Sequence, residues 1–269
     1  MANEKETMNI KENFDDYEKT LDEYKNLKGF PRKVAPQLSY KKIKTRLNNL
    51  KLKKSQTVTM HKKHDARFVV YKSLGMFDLN KTQFKELWSQ KPEERGKVFV
   101  FGKEHDMPRF CKSYGKSYTF SNREHKADPI EAIKIDGQPF LRLCLDYLKK
   151  ETGKNYNQIL INWYPDHQSY IGAHSDDEKM FTESSVVCFN YCRKPRDIIL
   201  KRKKKSKLTK DELPKMKPYK HKMENNTGYA MEGDDFQDMY THEIPKRASD
   251  STQNEKRISL TFRVFDDST

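Results

Sequence analysis

No run of about 18 uninterrupted apolar residues, the length a membrane span needs, occurs in this chain of 269 residues. The opening stretch MANEKETMNIKENFDDYEK lacks the apolar core of a secretion signal. Both absences lead to the expectation of a soluble, intracellular protein with no membrane partner. Cysteine is scarce: Cys111, Cys144, Cys188 and Cys192 include no C-x-x-C pair. Buried free thiols are therefore expected rather than a disulfide framework, with a Cys188/Cys192 metal clip as the lesser alternative. Apolar residues make up only 34% of the chain, low for a compact globule, so part of it should lie outside any core. No internal repeat is visible.

Acid is missing from residues 41–64, KKIKTRLNNLKLKKSQTVTMHKKH, which carry nine Lys/Arg. Residues 201–222 hold eleven Lys/Arg against two acids. Together the two segments carry +18, against +15 for the whole chain, so the remaining body is slightly acidic. Basic attachments on a near-neutral body are the footprint of a polyanion binder; solvated lysine-rich loops are the alternative. The run KRKKKSK leaves a nuclear address open.

Residues 1–65 are polar, with hydrophobics too sparse for a core, and are expected to form a flexible or partly helical arm. The pattern changes at 66. ARFVVYKSL and KVFVFG have strand character, and NKTQFKELW between them is a helix opened by an asparagine cap. FLRLCLDYLKKETG places Leu141, Cys144, Leu145 and Leu148 on one helical stripe and ends at Gly153. Strand-like runs follow: YNQILINWY, SSVVCFNY, RDIIL, GYAMEG, DMYTHEIP and RISLTFRVF. The expected class is α+β, with helices packed on a two-sheet barrel or jelly roll.

Two strands have an unusual polar face. Period-2 alternation sets Arg257, Ser259, Thr261 and Arg263 opposite Ile258, Leu260, Phe262 and Val264. Asn162 and Tyr164 likewise share a face, and His174 and Asp176 stand at i and i+2 in YIGAHSDDEKMF. An edge strand would show such alternation without any ligand. A barrel interior holding a metal and an anionic cofactor would require it, because neither is satisfied by apolar walls. Two imidazoles and a carboxylate form the facial triad of non-haem Fe(II) oxygenases. His242 in MYTHEIP is the best third ligand, since His221 lies in the lysine-rich segment and His125 and His167 stand in polar turns.

The ordered set N-x-Y, H-x-D-D-E, a distal H and R-x5-R resembles the AlkB-type Fe(II)/2-oxoglutarate dioxygenases, specifically the branch that repairs alkylated bases in duplex DNA. It is met by Asn162/Tyr164, His174/Asp176/Asp177/Glu178, His242 and Arg257/Arg263, with VFGKEHDMPR and YTFS upstream. The likeness covers roughly 66–200 and 227–265; the arm and the basic segment at 201–226 lie outside it. The resemblance implies a double-stranded β-helix spanning 66–269, with 201–226 as a basic insertion. It further implies Fe(II) on His174, Asp176 and His242, and O2 and 2-oxoglutarate as co-substrates. Arg257 and Tyr164 would hold the distal carboxylate, and Asn162, Thr261 and Arg263 would complete that pocket. A flipped base would lie between Phe120 and His174, near Tyr118, Thr119, Asp177 and Glu178. Phe101 and Gly102 would fill the gap in the duplex, with Lys103 and Arg109 near phosphates; an ordinary buried strand aromatic is the other reading of Phe101. The implied activity is oxidative demethylation of N1-methyladenine or N3-methylcytosine, by a monomer, in DNA before RNA. An oxygenase acting on RNA or on protein is the alternative.

Overall fold

A computed structural model describes residues 52–61, 63–100, 103–117, 130–135, 138–176, 185–203, 217–248 and 255–265. Its large sheet runs in the order β1 (Lys53–Thr59), β2 (Arg67–Ser73), β12 (Thr227–Glu232), β9 (Val186–Cys192), β14 (Arg257–Arg263), β7 (Gln158–Tyr164), β5 (Phe110–Tyr114) and β6 (Ala132–Ile133). A smaller sheet has the order β11 (Tyr219–Met223), β10 (Arg196–Arg202), β13 (Tyr240–Ile244) and β8 (Ile171–His174). A separate hairpin pairs β3 (Lys97–Val100) with β4 (Lys103–Asp106). This is a jelly roll of two facing sheets, with helices on the outer side of the larger one.

The alternation in β14 and β7 builds the layers. Ile258, Leu260 and Phe262 join Ile159, Ile161 and Trp163 in the outer core, against Leu141, Cys144 and Leu148 of helix α2 (Pro139–Thr152) and Phe84 and Leu87 of α1 (Lys81–Ser89). Asn80 opens α1 with a full capping box, and Gly153 ends α2 at φ 72°, a left-handed conformation that glycine adopts without strain. The indole Nε1 of Trp163 donates to Leu87 O at 3.1 Å and ties α1 to β7. Replacing that buried indole by alanine would cost about 3–5 kcal/mol. A second core of Phe68, Val70, Ile198, Leu200, Tyr240 and Ile244 fills the space between the sheets.

Two boundaries differ from the sequence expectation. Residues 53–59, assigned to the arm, pair with β2 as the edge strand of the large sheet. KKSQTVT carries the lysines by which edge strands resist further pairing, which also hides it among solvated sequence. The ends of the basic segment 201–226 are strand as well: β10 reaches Arg202, β11 spans Tyr219–Met223, and the two pair antiparallel. All four cysteines are buried and free. No helix among the described residues is long and apolar enough to cross a membrane.

Candidate metal centre and adjoining cavity

β8 and β13 are antiparallel neighbours, and their register sets His174 directly opposite His242. Opposed residues project from the same face, so the two rings meet, with centroids 4.1 Å apart. Asp176 follows two residues beyond the end of β8. Its Oδ1 lies 3.8 Å from His174 Nε2 and its Oδ2 3.9 Å from His242 Nε2, too far for hydrogen bonds. One ligating atom from each residue falls within 4.8 Å of the others. Asp176 and His242 are buried, whereas 29% of the His174 side chain remains exposed.

The protonation states follow from the contacts. His174 Nδ1 lies 2.8 Å from Gly172 O; a carbonyl can only accept, so that nitrogen carries the proton and Nε2 keeps its lone pair. Burial lowers the pKa of both imidazoles, and that of His242, with His174 beside it, falls to about 3. Burial alone would raise the Asp176 carboxyl; the Arg263 guanidinium, donating from NH2 to Oδ1 at 3.1 Å, outweighs it, and with both histidines helping the pKa falls to about 2. Two neutral imidazoles thus face a carboxylate at neutral pH. Asp176 Oδ2 and His242 Nδ1 are buried without a hydrogen-bond partner among the described residues. An orphaned carboxylate oxygen is costly unless a cation meets it, and this donor set fits a divalent first-row metal with open coordination positions.

The polar face of β14 points inward. Arg257, Thr261 and Arg263 line one cavity with Asn162, Tyr164, His174 and His242. Arg257 is only 1% exposed. Its Nε donates to Asn190 Oδ1 at 2.7 Å, but NH1 reaches the Ser259 hydroxyl only at 3.5 Å and NH2 the Met223 sulfur at 3.8 Å. Its guanidinium carbon also lies 4.5 Å from the centre of the Tyr164 ring. Three guanidinium groups, those of Arg109, Arg257 and Arg263, line the cavity with no carboxylate among the lining residues.

Arg109, expected near a phosphate, stands inside the cavity. It is 4% exposed, and its Nε donates to Asn162 Oδ1 at 2.8 Å inside the cavity. The pairing of β5 with β7, Cys111 opposite Asn162, draws the residue just before β5 into the barrel. Lys103 is exposed at the start of β4, where it pairs with Val100. Phe101, Gly102, Tyr118, Thr119, Phe120, Asp177 and Glu178 lie outside the described residues. One contact had no signal in the sequence: the Asp176 amide donates to Gln237 Oε1 at 3.0 Å. Gln237 stands on a single helical turn, α3 (Phe236–Met239), too short for any periodicity to reveal.

The profile of the 2OG-Fe(II) oxygenase superfamily matches residues 35–263. The chain is 36% identical over 103 residues to the DNA oxidative demethylase ALKBH2 of Bos taurus, a stretch covering 36% of this chain and 34% of the relative. It is 25% identical over 215 residues to the DNA oxidative demethylase ALKBH2 of Arabidopsis thaliana, covering 75% of this chain and 67% of the relative. The match thus spans about a third of the bovine relative and about two thirds of the plant one. The solved structure of OsALKBH1 aligns with a TM-score of 0.45 at 12% identity, over 78% of this chain and 100% of that one.

Proposed function

The chain belongs to the 2OG-Fe(II) oxygenase superfamily, and from that premise we propose that it oxidatively demethylates N-alkylated bases in nucleic acid, duplex DNA before RNA. Membership brings Fe(II), 2-oxoglutarate and O2 as cofactor and co-substrates. The single observation that carries the site assignment is that His174 and His242, which cluster with Asp176, line a cavity together with the guanidinium groups of Arg109, Arg257 and Arg263 and with no carboxylate in its lining. A dicarboxylate supplies the charge such a cavity lacks.

His174, Asp176 and His242 hold the iron. Arg263 keeps Asp176 anionic and oriented, and Arg109 fixes the Asn162 side chain that faces the same space. Arg257 takes the distal carboxylate of 2-oxoglutarate, because a guanidinium fork can donate two parallel charge-assisted bonds and here its NH1 and NH2 make only long contacts. The Tyr164 ring stacks against that guanidinium and shields it from water. Bound iron would supply the oxidising chemistry, by which O2, 2-oxoglutarate and the N-methyl group of the base would give succinate, CO2 and an N-hydroxymethyl group that breaks down to formaldehyde and the restored base.

The substrate assignment is supported by the likeness to DNA oxidative demethylases and by the net charge of +15. A metal cluster inside a barrel reaches a base only when that base leaves the stack. His174, the most open of the three ligands, forms one wall for it, with Phe120 opposite. Asp177 and Glu178 favour N1-methyladenine and N3-methylcytosine, which are cationic. Phe101 and Gly102, joining β3 to β4, fill the vacated place in the duplex, with Lys103 beside a phosphate. Mass spectrometry of methylated duplex DNA, single-stranded DNA and RNA, with Fe(II) and 2-oxoglutarate present, tests the reading. Loss of 14 Da from duplex DNA is expected; loss from RNA alone would transfer the assignment to RNA, and no loss from any of them would end it.

A further inference from the structure

We propose that Gln237 is the positioning residue that holds Asp176 in the metal cluster, an inference that rests on the reading of His174, Asp176 and His242 as metal ligands. β8 is the edge strand of the small sheet and ends at His174, so no strand ladder fixes the backbone of Asp176. Its N–H instead donates to Gln237 Oε1 at 3.0 Å, with both residues buried. A backbone N–H can only donate, so the glutamine atom that faces it is the oxygen, and the orientation of the amide is settled by chemistry.

The support behind Gln237 is rigid. Phe236 and Met239, on either side of it in α3, are buried in the core between the sheets. Phe236 N donates to Gly233 O at 3.1 Å, Asp235 N to Asp65 O at 3.1 Å, and Asp65 N back to Asp235 Oδ2 at 3.0 Å. α3 then runs directly into β13, which carries His242. One side chain therefore couples the strand of one ligand to the backbone of another. Packing alone does not account for a glutamine here, because its Nε2 is buried without a hydrogen-bond partner among the described residues. A methionine would fill similar space without burying that donor. Metal sites need their ligands held within about 0.5 Å, and the Asp176 oxygens stand 3.8 and 3.9 Å from the two imidazole nitrogens they must act with.

The test is a titration of the metal-free protein with Co(II), followed by its visible absorption, and with Mn(II), without 2-oxoglutarate or nucleic acid. Gln237→Met is expected to weaken the Kd by about 10- to 100-fold, the usual range for loss of an outer partner, and to change the shape of the Co(II) bands. A purely structural role would lower the melting midpoint of the metal-free protein and leave the Kd of the folded protein unchanged. Gln237→Glu keeps an oxygen acceptor toward the amide and is expected to bind within tenfold of wild type. A Gln237→Met variant within tenfold of wild type overturns the proposal; should that variant not fold, a Gln237→Glu variant weakened by tenfold or more overturns it. Failure of the wild type to bind either metal would strike the ligand assignment itself, a separate outcome.

Discussion

Replacing Arg257 by leucine removes a buried positive charge from the cavity at the start of β14, and two opposite consequences follow. If Arg257 holds the distal carboxylate of 2-oxoglutarate as proposed, that carboxylate should lose its main partner in the loaded protein. Breaking one side of a buried charge pair typically costs about 3–5 kcal/mol. At about 1.4 kcal/mol per factor of ten, that is roughly a 150- to 4000-fold rise in the dissociation constant. In the empty protein the account predicts no comparable loss. Wild-type Arg257 is 1% exposed and holds one short hydrogen bond, to Asn190 at 2.7 Å. Losing that bond leaves the Asn190 oxygen short of a donor, at about 1–3 kcal/mol, while removing an uncompensated buried cation returns a similar amount. The net change should stay within about 2 kcal/mol of zero. Calorimetric titration of 2-oxoglutarate into the Mn(II)-loaded variant, beside a melt of the metal-free protein, reads both. A dissociation constant within threefold of wild type would refute the assignment and shift the carboxylate to Arg109 or Arg263.

His174→Ala should abolish formaldehyde release with little change in stability. Asp176→Ala should abolish it and also cost about 3–5 kcal/mol, because it breaks one side of the buried pair with the Arg263 guanidinium 3.1 Å away; wild-type-like release from either variant would remove the metal assignment. Burial holds His242 at about 3 in the fold against 6.5 ordinarily, so the unfolded chain binds more protons between those values. Stability of the metal-free protein should therefore be complete above pH 6.5 and fall as pH drops toward 3; a denaturation series flat from pH 6.5 to 4.5 would contradict this. Replacing Lys203, Lys204 and Lys205 with serine should flatten the slope of log K against log salt on duplex DNA by about two to three units, at about 0.9 per lost phosphate contact. An unchanged slope over four salt concentrations would place those lysines clear of the backbone.

The polar face of β14 was legible because alternation is local: Arg257, Ser259, Thr261 and Arg263 declare their shared side whatever surrounds them. The cap of α1 and the glycine end of α2 were legible for the same reason. Pairings across the chain were not. Arg109 reads as a surface cation until β5 docks on β7 and Asn162, 53 residues away, accepts its hydrogen bond. Arg263 shares the polar face of β14 and lines the cavity, but its ion pair with Asp176, 87 residues distant, follows only from the closure of the barrel. β1 escaped notice because an edge strand rich in lysine has the composition of a solvated arm. His242 was reached by setting the other histidines aside, since the register that opposes it to His174 belongs to the small sheet and not to either strand alone.

The proposed reaction couples consumption of the co-substrate to removal of a methyl group from a base. Its most direct test is the ratio of succinate to formaldehyde formed on a duplex carrying a single N3-methylcytosine, with the unmodified duplex as control. The account predicts one succinate and one formaldehyde per cytosine restored, and only background succinate on the control. Succinate formed equally on both duplexes, with the methylated cytosine intact, would contradict it.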